Sequence, residues 1–334
     1  MNGKAKPLNA LAFSFAALLI LARPCIAESR VRVAELSPTA EKAIKKGLDF
    51  LARNQNNDGS WESNHKIANT ALGLMAFMVK GYFPGRPPYS VKLSKAVDFL
   101  IEASESGNGY MGKSMYEHGL ATLALSEVWG MSDRQELRNA LKKAVGVILR
   151  SQNKQGGWRY NPRPESADIS VTVMQIVALA SAKEAGILVP DKVIKNALKY
   201  VKSLQNQFQG GFGYTNRNGP GFARSAAGVM SLLMSGERDT RAVKAGLYYL
   251  RKSAESNFSQ TSHYYYGHYY AIQAMYQAGE RYYNEWYPKI RDALLLKQAS
   301  DGGWSGGSGG KAYSTSMSIL ILGVPYRFLP IYQR

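Results

Sequence analysis

A few residue clusters in this chain could do chemistry. Glu117 and His118 are adjacent, and a carboxylate beside an imidazole is an acid/base pair if both face one site. Asp168 stands before an apolar stretch, where burial would raise its pKa and make it a proton donor. Glu117 and Asp168 would equally serve at helix starts, as caps or as partners of the helix dipole. The run 263–270, His-Tyr-Tyr-Tyr-Gly-His-Tyr-Tyr, is the most unusual segment. From it His263, Tyr265, His268 and Tyr269 are candidate substrate contacts, because aromatic faces stabilise a carbocation or stack on a sugar ring. The plainer reading of the run is a packed helix start whose hydroxyls reach water. Arg224 could hold a phosphate or carboxylate, and Tyr313 joins the same list. His118, Asp168 and His268 carry the nitrogen and oxygen atoms of a metal site, but they lie in separate repeats; no metal and no cofactor is expected.

The elements that must position these groups form a repeat of about 45 to 55 residues. Each unit reads as a basic amphipathic helix, a Gly-rich turn with an aromatic, and a more apolar helix. The turns carry Gln55, Gly59 and Trp61; Gln152, Gly156 and Trp158; Gln205, Gly210 and Phe212; and Gln298, Gly302 and Trp304. In a second unit Ser104 replaces the Gln, and a fifth lacks the Gln-Gly-Trp turn. Ile44, Leu48 and Leu51 make one helical stripe. Asn57-Asp58-Gly59 has turn chemistry, and the Gln is placed to satisfy backbone groups that its helix leaves unpaired. The second helices, such as those over 70–78, 171–182 and 316–324, are apolar around most of their circumference and should be buried. One buried and one half-exposed helix, six times, predicts an inner ring wrapped by an outer ring, an all-α (α/α)6 toroid. The beginnings of the inner helices then face one end of a central cavity, and the candidate residues gather there.

Residues 1–27 read as a cleavable signal peptide: Lys4 and Lys6, an apolar run from Ala10 to Ala22, and a small residue, Ala27, at the cleavage position. Residues 28–38 read as a linker and 39–334 as the toroid. Export to the periplasm or exterior follows, with no stable membrane span after cleavage; an uncleaved anchor helix and a lipoprotein held through Cys25 are the other readings of this segment. Cys25, the one cysteine, would be lost with the leader, leaving no disulfide and no thiolate ligand. The formal charge is +18, and removing Lys4, Lys6 and Arg23 leaves +15. The basic residues recur on the amphipathic helices, as a solvated face or as a patch for anionic glycan or anionic lipid. Nucleic acid is not expected as a partner in that compartment.

The pattern Lys-Gly-x-x-Phe-Leu-x-x-x-Gln-x-x-x-Gly-x-Trp at 46–61 resembles the QW repeat of squalene and hopene cyclases, a repeat family that includes protein prenyltransferase β subunits. Tyr116–Leu123, Asp168–Thr172 and Pro325-Tyr326-Arg327 resemble exported bacterial proteins described as prenyltransferase and squalene oxidase repeat proteins. The resemblance implies an isoprenoid or other lipid ligand in a Tyr-rich cavity, bound or transformed. The Asp-x-Asp-Asp acid motif of class II cyclases is absent from the sequence, and the mature chain would lack the Cys of a prenyltransferase zinc site. A binder or lyase of acidic polysaccharide and a non-catalytic scaffold for a protein partner are the other readings.

Overall fold

Each repeat folds into two helices for reasons visible in its own residues. The first, α1 (Pro38–Arg53), starts where the hydroxyl of Ser37 accepts from the Ala40 N–H, with Pro38 at the first helical position, where a missing N–H costs nothing. It buries Ile44, Leu48 and Leu51 and leaves its lysines in water. Its partner α2 (Lys66–Met78) is buried from Ile67 to Met78. In this computed structural model the described residues are 34–253, 258, 263–327 and 329. The leader and most of the proposed linker lie outside them.

The remaining pairs repeat this plan. They are α3 (Ser90–Ser106) with α4 (Met115–Trp129), α5 (Gln135–Arg150) with α6 (Ile169–Glu184), and α7 (Asp191–Ser203) with α8 (Phe222–Met234). Next come α9 (Arg241–Lys252) with α10 (Tyr264–Ala278), and α11 (Glu280–Lys297) with α12 (Lys311–Leu322). The even-numbered helices pack each on the next, and α12 packs back on α2, closing an inner ring. The odd-numbered helices wrap it. The (α/α)6 toroid is therefore as expected, and no helix among the described residues is long and apolar enough to cross a membrane.

The Gln-Gly-Trp turns are the joints of the ring. Gln152 Nε2 donates to Gly156 O in its own turn and to Val193 O in the next outer helix, both at 2.8 Å. Gln55 bridges to Lys92, Gln205 to Ala242 and Gln298 to Ala43 in the same way. The last of these closes the circle. Where Ser104 replaces the Gln, its hydroxyl donates to Ala140 O at 3.2 Å, so the shorter side chain makes the cross-link alone. The unpaired carbonyls at the helix end are met differently from the expectation. The indole N–H takes that role: Trp61, Trp158 and Trp304 donate to Leu51, Ile148 and Leu294, each at 2.8 Å. The Gln amide is already spent on the neighbouring helix. The glycine lets the next helix approach. A Cβ on Gly156, at φ +91°, would sit 2.5 Å from Asn196 O.

Candidate functional site

A cavity of about 990 Å³ opens at the N-terminal ends of the inner helices, as the repeat pattern predicts. Every unit contributes to its wall: Asn69, Glu117, Ser170, Arg224, Tyr266 and Tyr313 come from the first turns of α2, α4, α6, α8, α10 and α12. Six aromatic rings face it, with Tyr116, Tyr160, Tyr214 and Phe222 beside Tyr266 and Tyr313. Tyr116 and Tyr266 lie 6.2 Å apart between ring centres. The Tyr160 and Tyr214 hydroxyls are 3.4 Å apart. Burial pushes the Tyr116, Tyr266 and Tyr313 phenols well up, so these rings stay neutral.

Glu117 is 5% exposed and lies on the wall, but its partner is not His118. Its Oε1 lies 2.9 Å from Nδ1 of His65, a residue from the turn before α2. With Nδ1–H donating to the carboxylate, the other ring nitrogen is left as an acceptor, the arrangement of an oriented general base. His65 was missed by the sequence reading. Its signal was available: it is the cap residue of an inner helix, the position His263 holds before α10. Both histidines adopt left-handed backbone, φ 49° and 58°, an uncommon conformation for a non-glycine, and both line the cavity.

The structure places His118 elsewhere. It is fully buried, its Nδ1 accepts from the Met111 N–H at 3.1 Å, and its Nε2 lies 3.1 Å from Ala144 O on α5. The accepting Nδ1 assigns the proton to Nε2. Burial lowers its pKa to about 4. Asp168 also lies behind the wall, with no exposed surface. Its Oδ1 caps α6 by accepting from Val171 N–H at 2.9 Å, which is the capping role weighed above. Its Oδ2 has no hydrogen bond, and the Arg159 Nε is 3.9 Å away. Burial raises the Asp168 pKa, against the Val171 N–H, the Tyr214 hydroxyl and the Arg159 charge.

Of the aromatic run, His263 and Tyr266 reach the cavity, and Tyr265, His268 and Tyr269 do not. The Tyr265 hydroxyl donates to Ser305 O, Tyr269 packs edge-on against Tyr270, and His268 sits among Phe222, Phe258 and Tyr264. Arg224 lines the cavity with no ion-pair partner among the described residues. His118, Asp168 and His268 are not brought together, and no group of three or more His, Cys, Asp or Glu side chains suited to a metal occurs among the described residues.

No family model matches the chain. Human lanosterol synthase is 29% identical over 140 residues, which is 38% of this chain and 19% of that enzyme. The chain thus matches about a fifth of that relative's length. Among solved structures, an inactive variant of an α-1,6-mannanase of glycoside hydrolase family 76 from Salegentibacter sp., in complex with α-1,6-mannotetrose, superposes with a TM-score of 0.67 at 10% identity, covering 87% of this chain and 100% of that one. A type II terpene cyclase from Scytonema, holding its substrate geranylgeranyl dihydroxybenzoate, gives a TM-score of 0.61 at 14% identity over 88% of this chain and 98% of that one. A family 76 mannosidase from Bacteroides thetaiotaomicron gives 0.61 at 8% identity over 87% and 99%. Both kinds of neighbour share the closed ring of helix pairs, and the sequence match is to a cyclase. The chain has the α/α toroid fold that it shares with terpene cyclases and with family 76 mannanases.

Proposed function

We propose that the toroid binds an isoprenoid or other lipid in its central cavity and that the Glu117–His65 pair acts on it there. The observation that carries this reading is the cavity wall: about 990 Å³ of space, at the upper end of the range for small-molecule sites, faced by six Tyr and Phe rings. Neutral aromatic faces pack a hydrocarbon chain and stabilise positive charge developing along it. Arg224, with no ion-pair partner among the described residues, is placed to hold a polar or anionic head. Glu117 orients His65, and the dyad is placed at the wall to take up or deliver a proton. His118 and Asp168 support the wall from behind in this reading. Export through residues 1–27 belongs to the same proposal and is tested by sequencing the N-terminus of the protein purified from its own cells.

The test of the ligand is direct. The protein, purified from its own envelope fraction, is extracted with organic solvent and the extract analysed by mass spectrometry. An Ala68→Trp variant, which fills part of the cavity from α2, is treated in parallel. A stoichiometric isoprenoid or lipid in the wild type, absent from the folded variant, is the expected result. An empty extract from folded wild-type protein refutes the reading. Glu117→Gln should keep the ligand and block its conversion. An acidic glycan is the second reading, favoured by the +15 formal charge left after loss of Lys4, Lys6 and Arg23 and by Tyr160, 48% exposed at the cavity wall, where a sugar ring could stack.

A further inference from the structure

The basic charge of this chain is not spread evenly round the outer ring. Helices α5, α7 and α9 are consecutive in that ring, joined by the Gln152 and Gln205 cross-links. They carry twelve Lys and Arg against two Asp and Glu, whereas α1, α3 and α11 carry ten against eight. One sector of the outer wall is therefore strongly positive and the opposite sector is nearly balanced.

At the centre of the positive sector, α7 shows Lys192, Lys195, Lys199 and Lys202 to solvent at steps of three and four residues, a straight row along one face. Lys202 pairs with Glu237, and Lys192, Lys195 and Lys199 have no ion-pair partner among the described residues. An apolar side chain stands free at each end of this row. Leu188, just before α7, is 86% exposed, and Phe208, just after it, is 98% exposed. Leu188 is held out by its neighbours, since Ile187 and Val189 on either side are buried. Leaving both side chains in water forgoes hydrophobic burial, and the sequence does so at both ends of the same lysine row. A helix of 13 residues is about 20 Å long, so the two apolar groups flank a flat line of positive charge along the side of the ring.

We propose that α7 and its flanking turns form a docking edge for an anionic lipid bilayer, with the lysine row lying on the headgroups and Leu188 and Phe208 inserting between them. A row of cations with apolar anchors is what an interfacial site requires: charge attracts the surface, and the anchors enter the boundary beneath it. A soluble acidic polymer would be served by the lysines, with Phe208 at most stacking on a sugar, and has no use for an exposed leucine at the other end of the row. The docking edge is on the outer wall and does not depend on what the cavity holds.

The test is co-sedimentation with vesicles of neutral phosphatidylcholine, with and without a third of anionic phosphatidylglycerol, using the protein as its cells process it. Wild type should bind the anionic vesicles preferentially and release them as salt rises. A Lys192→Gln, Lys195→Gln, Lys199→Gln variant should lose affinity about a hundredfold at low salt, from about fivefold per lysine. A Leu188→Ser, Phe208→Ser variant should lose at least tenfold at any salt. Both variants alter exposed positions, and unchanged circular dichroism and cavity-ligand content confirm that each is folded. Equal binding to neutral and anionic vesicles, or unaltered binding by the triple variant, overturns the proposal. So does retention on an acidic polysaccharide that the triple variant loses while wild type ignores vesicles. Loss in the lysine variant with none in the Leu188, Phe208 variant overturns the inserted anchors.

Discussion

If His118 is a structural histidine, it should make the protein acid-sensitive in a defined window. Its ring is fully buried, and both nitrogens are engaged by backbone groups, Met111 N–H and Ala144 O. In the unfolded chain it titrates near 6.5, and in the folded protein burial lowers that to about 4. The unfolded state therefore binds the proton first. As pH falls through 6.5 stability begins to drop, and the loss is complete below about 4. A depression of about 2.5 pKa units corresponds to about 3 kcal/mol. Other groups titrate in the same range, so the measurement is a difference. Urea unfolding is followed from pH 7.5 to 4 for wild type and His118→Gln. The variant should be less stable at pH 7.5, by about 1–3 kcal/mol for the disturbed buried hydrogen bonds, because Gln can accept and donate but lacks the ring. It should also lack the acid slope, so the two curves converge as pH falls. Parallel curves would refute the burial argument and return His118 to the list of groups able to exchange protons with the cavity.

Other expectations bear on the joints and the wall. Gly156→Ala should cost about 3–5 kcal/mol, because the left-handed backbone and a Cβ 2.5 Å from Asn196 O both oppose it; Gly186→Ala, at φ +79° with nothing within 4 Å, should cost only about 1–2 kcal/mol. Equal costs in urea titrations would mean that the turn does not dock the next helix. Gln298→Ala and Gln152→Ala each remove two hydrogen bonds and should each cost about 2 kcal/mol; a much smaller cost at Gln298 would mean that the last repeat is not joined to the first. Asp168→Asn keeps an oxygen for the Val171 N–H and removes a buried charge. Because the folded pKa is raised, the carboxylate's penalty is absent below 3.8 and grows as pH rises through the folded value. The variant should then be the more stable at pH 7, with its advantage gone at pH 3.

The repeat was legible because its residues act locally and recur. The Gln, Gly and Trp of each joint sit at fixed spacing, and the spacing survives one substitution because Ser104 still reaches Ala140. The wall was legible only in outline. Adjacent residues on an α-helix point about 100° apart, so neighbours in sequence need not face the same site. Glu117 faces it and His118 faces α5. The same rotation separates Tyr266, on the wall, from Tyr265 and Tyr269, which are packed behind it. Nothing in a run of aromatic residues says which of them turns inward, since every face of an inner helix is apolar. The true partner of Glu117 is 52 residues away in the preceding repeat, and the packing of α2 on α4 brings it near.

The joints and the cavity wall divide the work of the sequence between two sets of positions. The joints use the ends of the outer helices, and the same Gln bridge that links internal repeats links Gln298 to Ala43 across the seam. The wall uses the cap and first turn of each inner helix, as with His65, Ser114, Glu117 and Ser170. Changing a wall residue leaves the joint hydrogen bonds untouched. A ring of this kind can therefore hold its shape while its cavity chemistry is rewritten, which is how one architecture accommodates both a mannanase and a terpene cyclase among its neighbours. It follows that the fold alone does not say what this cavity binds or does. What distinguishes this chain lies at the wall, where His65, an arginine with no ion-pair partner among the described residues and six aromatic rings meet in one space.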